Sequence, residues 1–427
     1  MRTELHPDIL ATDAGREADA ILRSCVHCGF CTATCPTYQV LGDELDGPRG
    51  RIWLIRDMLE RDAAGPDTQR HLDRCLTCRS CETTCPSGVR YGRLLDIGRA
   101  HLEQRVSRPP LQRLLRAALR HLVPYPRRLR VPLRVGQWLR PLLPAPLRDK
   151  VPILQRRLER PAPAGDHVRK VLLLAGCVQS LATPRTNDAT TAVLDRLGIT
   201  AVEAAGAGCC GALPHHLGDP DAARSLARRN VDAWWPLLSA TARGVEAGEE
   251  GAGAAGAEAL VMTASGCGVE VREYGALLAA DPAYAARAAR IAAVTLDLSE
   301  FLVDEDLAGL RLAGRPRVAW HPPCTLQHGQ QVRGPVERIL DAVGVQRVPV
   351  TDSHLCCGSA GTYSILQPRL AGELRARKLE HLTAGAPEVI VTANVGCQTH
   401  LASVAELPVR HWIELLADGL REEPLEA

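Results

Sequence analysis

Residues 25–36 read CVHCGFCTATCP, and residues 75–86 read CLTCRSCETTCP. In each stretch three cysteines are separated by two residues, a fourth follows after three more, and a proline closes the run. The first set is Cys25, Cys28, Cys31, Cys35 and Pro36; the second is Cys75, Cys78, Cys81, Cys85 and Pro86. This is the ligand spacing of paired [4Fe-4S] clusters, in which three thiolates of a run hold one cube and the fourth, further round the turn, holds the other. The expected ligand sets are Cys25, Cys28, Cys31 and Cys85 for one cluster, and Cys75, Cys78, Cys81 and Cys35 for the second. Exchanged ligands set the cubes close enough for an electron to pass, so the pattern implies a chain that conducts electrons. Zinc is closed by two Cys-x-x-Cys pairs and has no need of a third thiolate or a closing proline. A purely structural cluster usually comes singly, whereas two linked cubes are what a wire needs.

The chain has 427 residues, room for roughly two to four domains, and a net charge of only +2, which gives no global pull toward nucleic acid. Its 16 cysteines all fall in ligand-like clusters, leaving no obvious structural bridges, so a reducing compartment is expected. The first 24 residues contain Asp8, Asp13, Glu17 and Asp19 and no apolar core of signal-peptide length. No later run approaches membrane-spanning length. The expected location is cytoplasmic, or at most peripheral on the cytoplasmic face of the inner membrane.

Around the cysteine motifs, residues 1–104 form a first region, in which Ile52, Ile55 and Leu59 place a helix over Arg51–Glu60 and suggest a mainly helical domain. Residues 105–165 form a basic, proline-rich connector. Between 105 and 160 the net charge is +13, so the rest of the chain carries about −11. Leu111, Leu114, Leu115, Leu119 and Leu122 fall on one helical face, with Arg113, Arg116 and Arg120 opposite. Such a helix either lies on anionic lipid or an acidic partner, or packs its leucines on the chain's own domains with the arginines in water.

A second repeat follows. The β-like run Val171–Ala175 leads to Cys177, 31 residues intervene before Cys209-Cys210-Gly211, and the run Leu260–Ala264 leads to Cys267. Downstream, Val318–Trp320 leads to Cys324, the same 31 residues precede Cys356-Cys357-Gly358, and Val389–Ala393 leads to Cys397. Equal gaps indicate an internal duplication, with an alanine- and glycine-rich loop insertion near 242–258 in the first copy. Alternating strand and helix patterns predict an α/β domain with a largely parallel sheet in each copy, 166–310 and 311–427, with cysteines beyond the carboxyl ends of strands. The expected fold is thus α+β multidomain: a helical two-cluster ferredoxin domain followed by two duplicated α/β cysteine-rich domains. Cys177, Cys209, Cys210 and Cys267, and Cys324, Cys356, Cys357 and Cys397, are candidate metal ligands for one or two further iron-sulfur clusters. The glycines after each cysteine pair suit a tight turn beside a bulky cofactor.

Gly251, Gly253 and Gly256 match a dinucleotide fingerprint only formally, because flexible acidic sequence precedes them and a strand follows. No flavin or nicotinamide site, nucleophilic triad or paired-carboxylate site stands out, so no catalytic residue is assigned.

The run CVHCGFCTATCPTYQVLGDELDGPRGR from Cys25, CLTCRSCETTCPSGVRYGRLLDIGR from Cys75, GCVQ at 176–179, both Cys-Cys-Gly elements and HPPC at 321–324 together resemble the iron-sulfur subunits of glycolate oxidases, also called glycolate dehydrogenases. The resemblance implies flavin-containing partner subunits that oxidise glycolate to glyoxylate, and electron transfer through this chain toward a quinone or another acceptor. Related lactate and glycerol-3-phosphate dehydrogenase subunits are the alternative.

The cysteine-rich halves also resemble those of heterodisulfide reductase, whose pattern ends in Cys-x-x-Cys. Here Glu270 and His400 stand at the last position, which puts the cluster type and any disulfide-reducing activity in question. Glu270 is expected at the surface; His400, His321 and His354 are either solvent-facing or additional ligands. A cluster-stabilised nucleic-acid-binding protein is a third reading, disfavoured because residues 105–160 offer only Tyr125 and Trp138 for stacking. No nucleic-acid partner is expected.

Overall fold

The computed structural model describes residues 1–158, 166–247, 256–310, 312 and 314–420. It divides into two compact units, one comprising Met1–His121, Leu213–Pro220 and His354–Lys378, the other Leu122–Ala212, Asp221–Ser353 and Leu379–Ala427.

The first unit is helical. Its longer helices are Asp13–Ser24, Pro48–Arg61 and Tyr91–Arg105. Pro48 opens the second of these, where a missing N–H costs nothing, and Ile52, Ile55, Met58 and Leu59 form its buried face. They meet Ile21, Leu22, Leu72, Leu94, Leu95 and Leu102 in one core. Each buried aliphatic side chain there contributes about 1.5–3 kcal/mol, and the core walls in both cysteine loops.

The basic helix Pro110–Leu122 departs from the expected arrangement. Arg116 is buried and pairs with Asp73 at 2.9 Å and Glu103 at 3.6 Å, and Arg108, just before the helix, pairs with the same two carboxylates. Leu119 is buried, but Leu111 and Leu114 are 77% and 68% exposed. Two acidic residues 30 positions apart on other segments draw Arg116 inward while Arg113 stays exposed, an outcome that helical periodicity alone does not encode.

The second unit holds two four-stranded parallel sheets. The first contains β1 (Arg169–Leu173), β2 (Ile199–Val202), β3 (Leu260–Met262) and β4 (Thr295–Asp297) in the order β2-β1-β3-β4. The second contains β5 (Arg317–His321), β6 (Gln346–Val348), β7 (Val389–Thr392) and β8 (Val409–His411) in the order β6-β5-β7-β8. The identical order in both copies is the structural form of the duplication. The central strands are apolar on both faces, as parallel strands covered by helices must be.

The two copies share a core in which Val171, Val193 and Leu298 pack with Trp320, Ile339 and Trp412. Buried polar contacts join them as well: Thr186 donates to Glu414 at 2.8 Å, and His411 Nε2 meets the Thr263 carbonyl at 2.9 Å. The extra residues of the first copy partly extend a helix, which runs Pro220–Ala247 against Pro368–Thr383 in the second. Gly251 and Gly253 lie outside the described residues. No described helix is long and apolar enough to cross a membrane.

Candidate iron-sulfur sites

The two motif loops turn in the same way. His27 and Gly29 in the first, and Thr77 and Arg79 in the second, all have positive φ, 56°, 85°, 55° and 59°. These are the residues between consecutive cysteines, and their left-handed backbone turns three sulfurs toward one centre. Three of the four are not glycine, a conformation found mainly where surrounding structure enforces it for function.

Two clefts result. One of about 430 Å³ is lined by Cys25, Cys28, Cys31, Cys81 and Cys85. The other, about 300 Å³, is lined by Cys35, Cys75, Cys78 and Cys81. Each cleft includes three cysteines of one motif and the fourth of the other, and Cys81 and Tyr91 border both. Soft thiolates in fours are the donor set iron-sulfur clusters require. Burial, with the neighbouring Cys25, pushes Cys31 up to about 11. Such crowded thiols ionise readily only when a metal replaces the proton.

Polar hydrogens already point at the sulfurs. The Thr77 N–H approaches Cys75 Sγ at 3.4 Å and the Tyr91 hydroxyl approaches it at 3.6 Å. Arg51 Nη1 lies 4.0 Å from Cys35 Sγ, whereas the Thr37 hydroxyl, 3.3 Å from that sulfur, donates to the Asp46 carbonyl at 2.8 Å. Arg51, Asp46, His71 and Tyr91, grouped at the sulfurs, are residues that the motif reading missed. The only hint in the sequence was their closeness to cysteines, which does not single them out.

In the second unit Cys177 follows β1, Cys209 and Cys210 follow β2, and Cys267 sits on the helix Ser265–Arg272 after β3. Their thiols lie side by side, Cys209 next to Cys177 and Cys210, and Cys210 next to Cys267. Cys209, accepting from Cys177 and Cys210 and helped by the Gly211 N–H and the Arg229 charge, is held well below the ordinary thiol value. Its two partners are pushed well above it. Arg229 Nε and Nη2 are buried without a hydrogen-bond partner. Buried polar atoms left without partners are costly, and an anionic cluster on the four sulfurs would compensate the Arg229 charge. The donor set fits.

Of the second copy's candidates, Cys324 follows β5 and is buried. Cys397 lies on the helix Val395–Ala402, with Asn394 Nδ2 3.8 Å from its sulfur. Cys356 and Cys357 are buried in the first unit, where the Gly358 N–H approaches Cys356 Sγ at 3.4 Å. Gly211 and Gly358 both have positive φ, 98° and 88°. A Cβ on Gly358 would lie 2.7 Å from the Ala371 carbonyl, so this glycine admits a helix backbone rather than a cofactor. Glu270 is buried, contrary to the surface position expected, because it falls on the inner side of Ser265–Arg272. His321 and His400 are also buried and His354 is half-buried.

Comparison with known proteins agrees with this architecture. The family described as 4Fe-4S dicluster domain matches residues 21–89, and the family described as cysteine-rich domain matches residues 171–272 and 318–402. The chain is 51% identical over 423 residues to the glycolate oxidase iron-sulfur subunit of Escherichia coli strain K12, covering 99% of this chain and all of the relative. It is 30% identical over 408 residues to the probable glycolate oxidase iron-sulfur subunit of Bacillus subtilis strain 168, covering 88% and 87% of the two chains. Lactate utilization protein A of Geobacillus kaustophilus is 27% identical over 58% of this chain and 98% of its own. A hypothetical protein from Helicobacter pylori shares the fold, with a TM-score of 0.55 at 9% identity over 97% of this chain and 74% of its own. The cofactors of this chain are iron-sulfur clusters, and it belongs to the family of glycolate oxidase iron-sulfur subunits.

Proposed function

We propose that this chain is the electron-transfer subunit of a complex that oxidises glycolate to glyoxylate, with hydride leaving the substrate for flavin on a partner chain. Clusters supply single-electron steps, dividing a two-electron donation, and deliver it to a quinone or another acceptor. The carrying observation is the pair of adjacent clefts, each built from both cysteine motifs. Cys25, Cys28, Cys31 and Cys85 hold one [4Fe-4S] cluster, and Cys75, Cys78, Cys81 and Cys35 the other. Cys177, Cys209, Cys210 and Cys267 hold a further cluster, with Arg229 as charge partner. Cys324, Cys356, Cys357 and Cys397 are the corresponding set of the second copy. Residues 1–104, 105–165, 166–310 and 311–427 are the functional divisions.

Purification of the intact complex tests this reading. Flavoprotein subunits should accompany the chain, and dye reduction should follow glycolate addition. The chain by itself should neither bind flavin nor turn over glycolate; lactate in place of glycolate distinguishes the related dehydrogenase.

Contact with an anionic membrane surface is part of the reading. The helix Pro126–Leu139 buries none of its residues; Val131, Val135 and Trp138 lie on one exposed face, 67%, 49% and 80% accessible, among Arg127, Arg130 and Arg134. Apolar residues flanked by arginine suit a helix lying in a lipid headgroup layer. Flotation of the complex with vesicles containing anionic lipid, lost in Trp138→Glu and at high salt, is the expected result; equal flotation with neutral vesicles would contradict it.

A further inference from the structure

The two clefts of the first unit differ in their charged neighbours. Arg51, on Pro48–Arg61, reaches Cys35 Sγ at 4.0 Å, donates from Nε to the His71 carbonyl at 2.8 Å and from Nη2 to Thr37 Oγ1 at 3.1 Å. Its counter-ion Asp46 is 3.5 Å away and is shared with His71 Nδ1 at 2.9 Å and Arg74 Nη1 at 2.7 Å. One carboxylate therefore faces two guanidiniums, which leaves positive charge beside Cys35. The guanidinium lining the other cleft belongs to Arg49, tied to Glu44 at 2.7 Å; its side chain is 38% exposed, against 1% for Arg51. Water and salt screen the exposed charge strongly and the buried one weakly.

We propose that Arg51 raises the reduction potential of the cluster held by Cys35, Cys75, Cys78 and Cys81 above that of its neighbour, making it the electron-accepting member of the pair. The inference rests on the ligand sets given under the proposed function. Reduction adds one electron to a cluster with no bond or proton exchanged, so a close cation stabilises the reduced form, and an N–H directed at a ligand sulfur acts in the same sense. The guanidinium keeps its charge there.

The test is an anaerobic redox titration of the complex, followed by electron paramagnetic resonance, with iron measured on every sample. Cys28→Ser and Cys78→Ser first assign the two signals. Arg51→Gln should then make the Cys78-assigned centre at least tenfold harder to reduce, a fall of about 59 mV for one electron, with the Cys28-assigned centre little changed. Arg51→Lys should restore most of the shift. Asp46→Asn removes an anion and should move the same centre upward, whereas purely structural damage would not give opposite signs. If Arg51→Gln does not assemble, the Asp46→Asn shift decides, and a fall or no change overturns the proposal. A shift of the Cys28-assigned centre, or equal shifts of both, also overturns it while leaving the ligand sets intact. Failure of the two serine variants to affect different signals would instead refute the ligand sets.

Discussion

The Tyr363 hydroxyl donates to the carbonyl oxygen of Arg74 at 3.1 Å. Arg74 immediately precedes the second cysteine motif, and Tyr363 lies six residues after Cys357, so the Cys-Cys-Gly element of the second copy rests on the loop that begins with Cys75. Burial pushes the Tyr363 phenol up; Arg51 opposes this, and the Cys75 and Cys356 thiols add to it. The equivalent residue of the first copy, His216, six residues after Cys210, makes its own contact in the same unit, Nδ1 lying 3.4 Å from Asp96 Oδ1. The duplication has thus kept an anchoring position while changing the side chain that fills it.

Removing that anchor should loosen the second Cys-Cys-Gly element locally. Tyr363→Phe deletes one hydrogen bond, worth about 1 kcal/mol, and Tyr363→Ala also empties a buried ring site, worth about 3–5 kcal/mol. Hydrogen exchange of residues 354–378 should accelerate in that order with the iron of the first two motifs retained. Unchanged exchange in the alanine variant would show that the contact holds nothing.

Cys85→Ser should deplete the cluster of the Cys25 motif despite 60 residues of separation, because Cys85 lines the cleft of Cys25, Cys28 and Cys31. Spectroscopy of the two magnetically interacting centres is the measurement. Loss confined to the centre that also responds to Cys78→Ser would overturn the exchanged assignment.

Iron analysis addresses the duplicated halves. Two ferredoxin-type cubes account for about eight irons, and the anaerobic chain should contain appreciably more. Cys209→Ser with Cys210→Ser should remove part of the excess, Cys356→Ser with Cys357→Ser another part, each leaving the first two centres intact. Arg229→Met should weaken retention of the first-copy cluster alone. Iron unaffected by both double substitutions would take these halves out of the wire.

Acid should destabilise the second unit through His411. Burial lowers its folded pKa from the usual 6.5 to about 3, with the Thr263 carbonyl acting in the opposite sense. The unfolded chain therefore binds the extra proton between those values, and stability falls as pH drops from 6.5 toward 3, by up to about 1.4 kcal/mol per pH unit. Denaturation midpoints across that range should show the slope, and His411→Gln should flatten it, at a cost near neutrality of about 1–3 kcal/mol for the altered hydrogen bonds to Thr263 and Ile413. An undiminished slope in the variant would assign the effect to other groups.

Cysteine spacing alone determined much of this protein. Ligand geometry around a cube is local in sequence except for the fourth thiolate, so Cys25 to Cys35 and Cys75 to Cys85 announce their chemistry without a fold. The equal 31-residue gaps announce the duplicated α/β halves, and the apolar runs before Cys177, Cys267, Cys324 and Cys397 give their central strands. The edge strands β2, β4, β6 and β8 were not legible, being three or four residues long and partly polar. Tertiary structure alone decided what surrounds the sulfurs. Arg51, Asp46, His71 and Arg74 become a buried charge network because three separate segments converge on Cys35, and Arg116 turns inward because Asp73 and Glu103 await it. Glu270 is buried by the packing of a short helix. Each of these depends on long-range electrostatics and packing, which act between residues that the sequence does not place together.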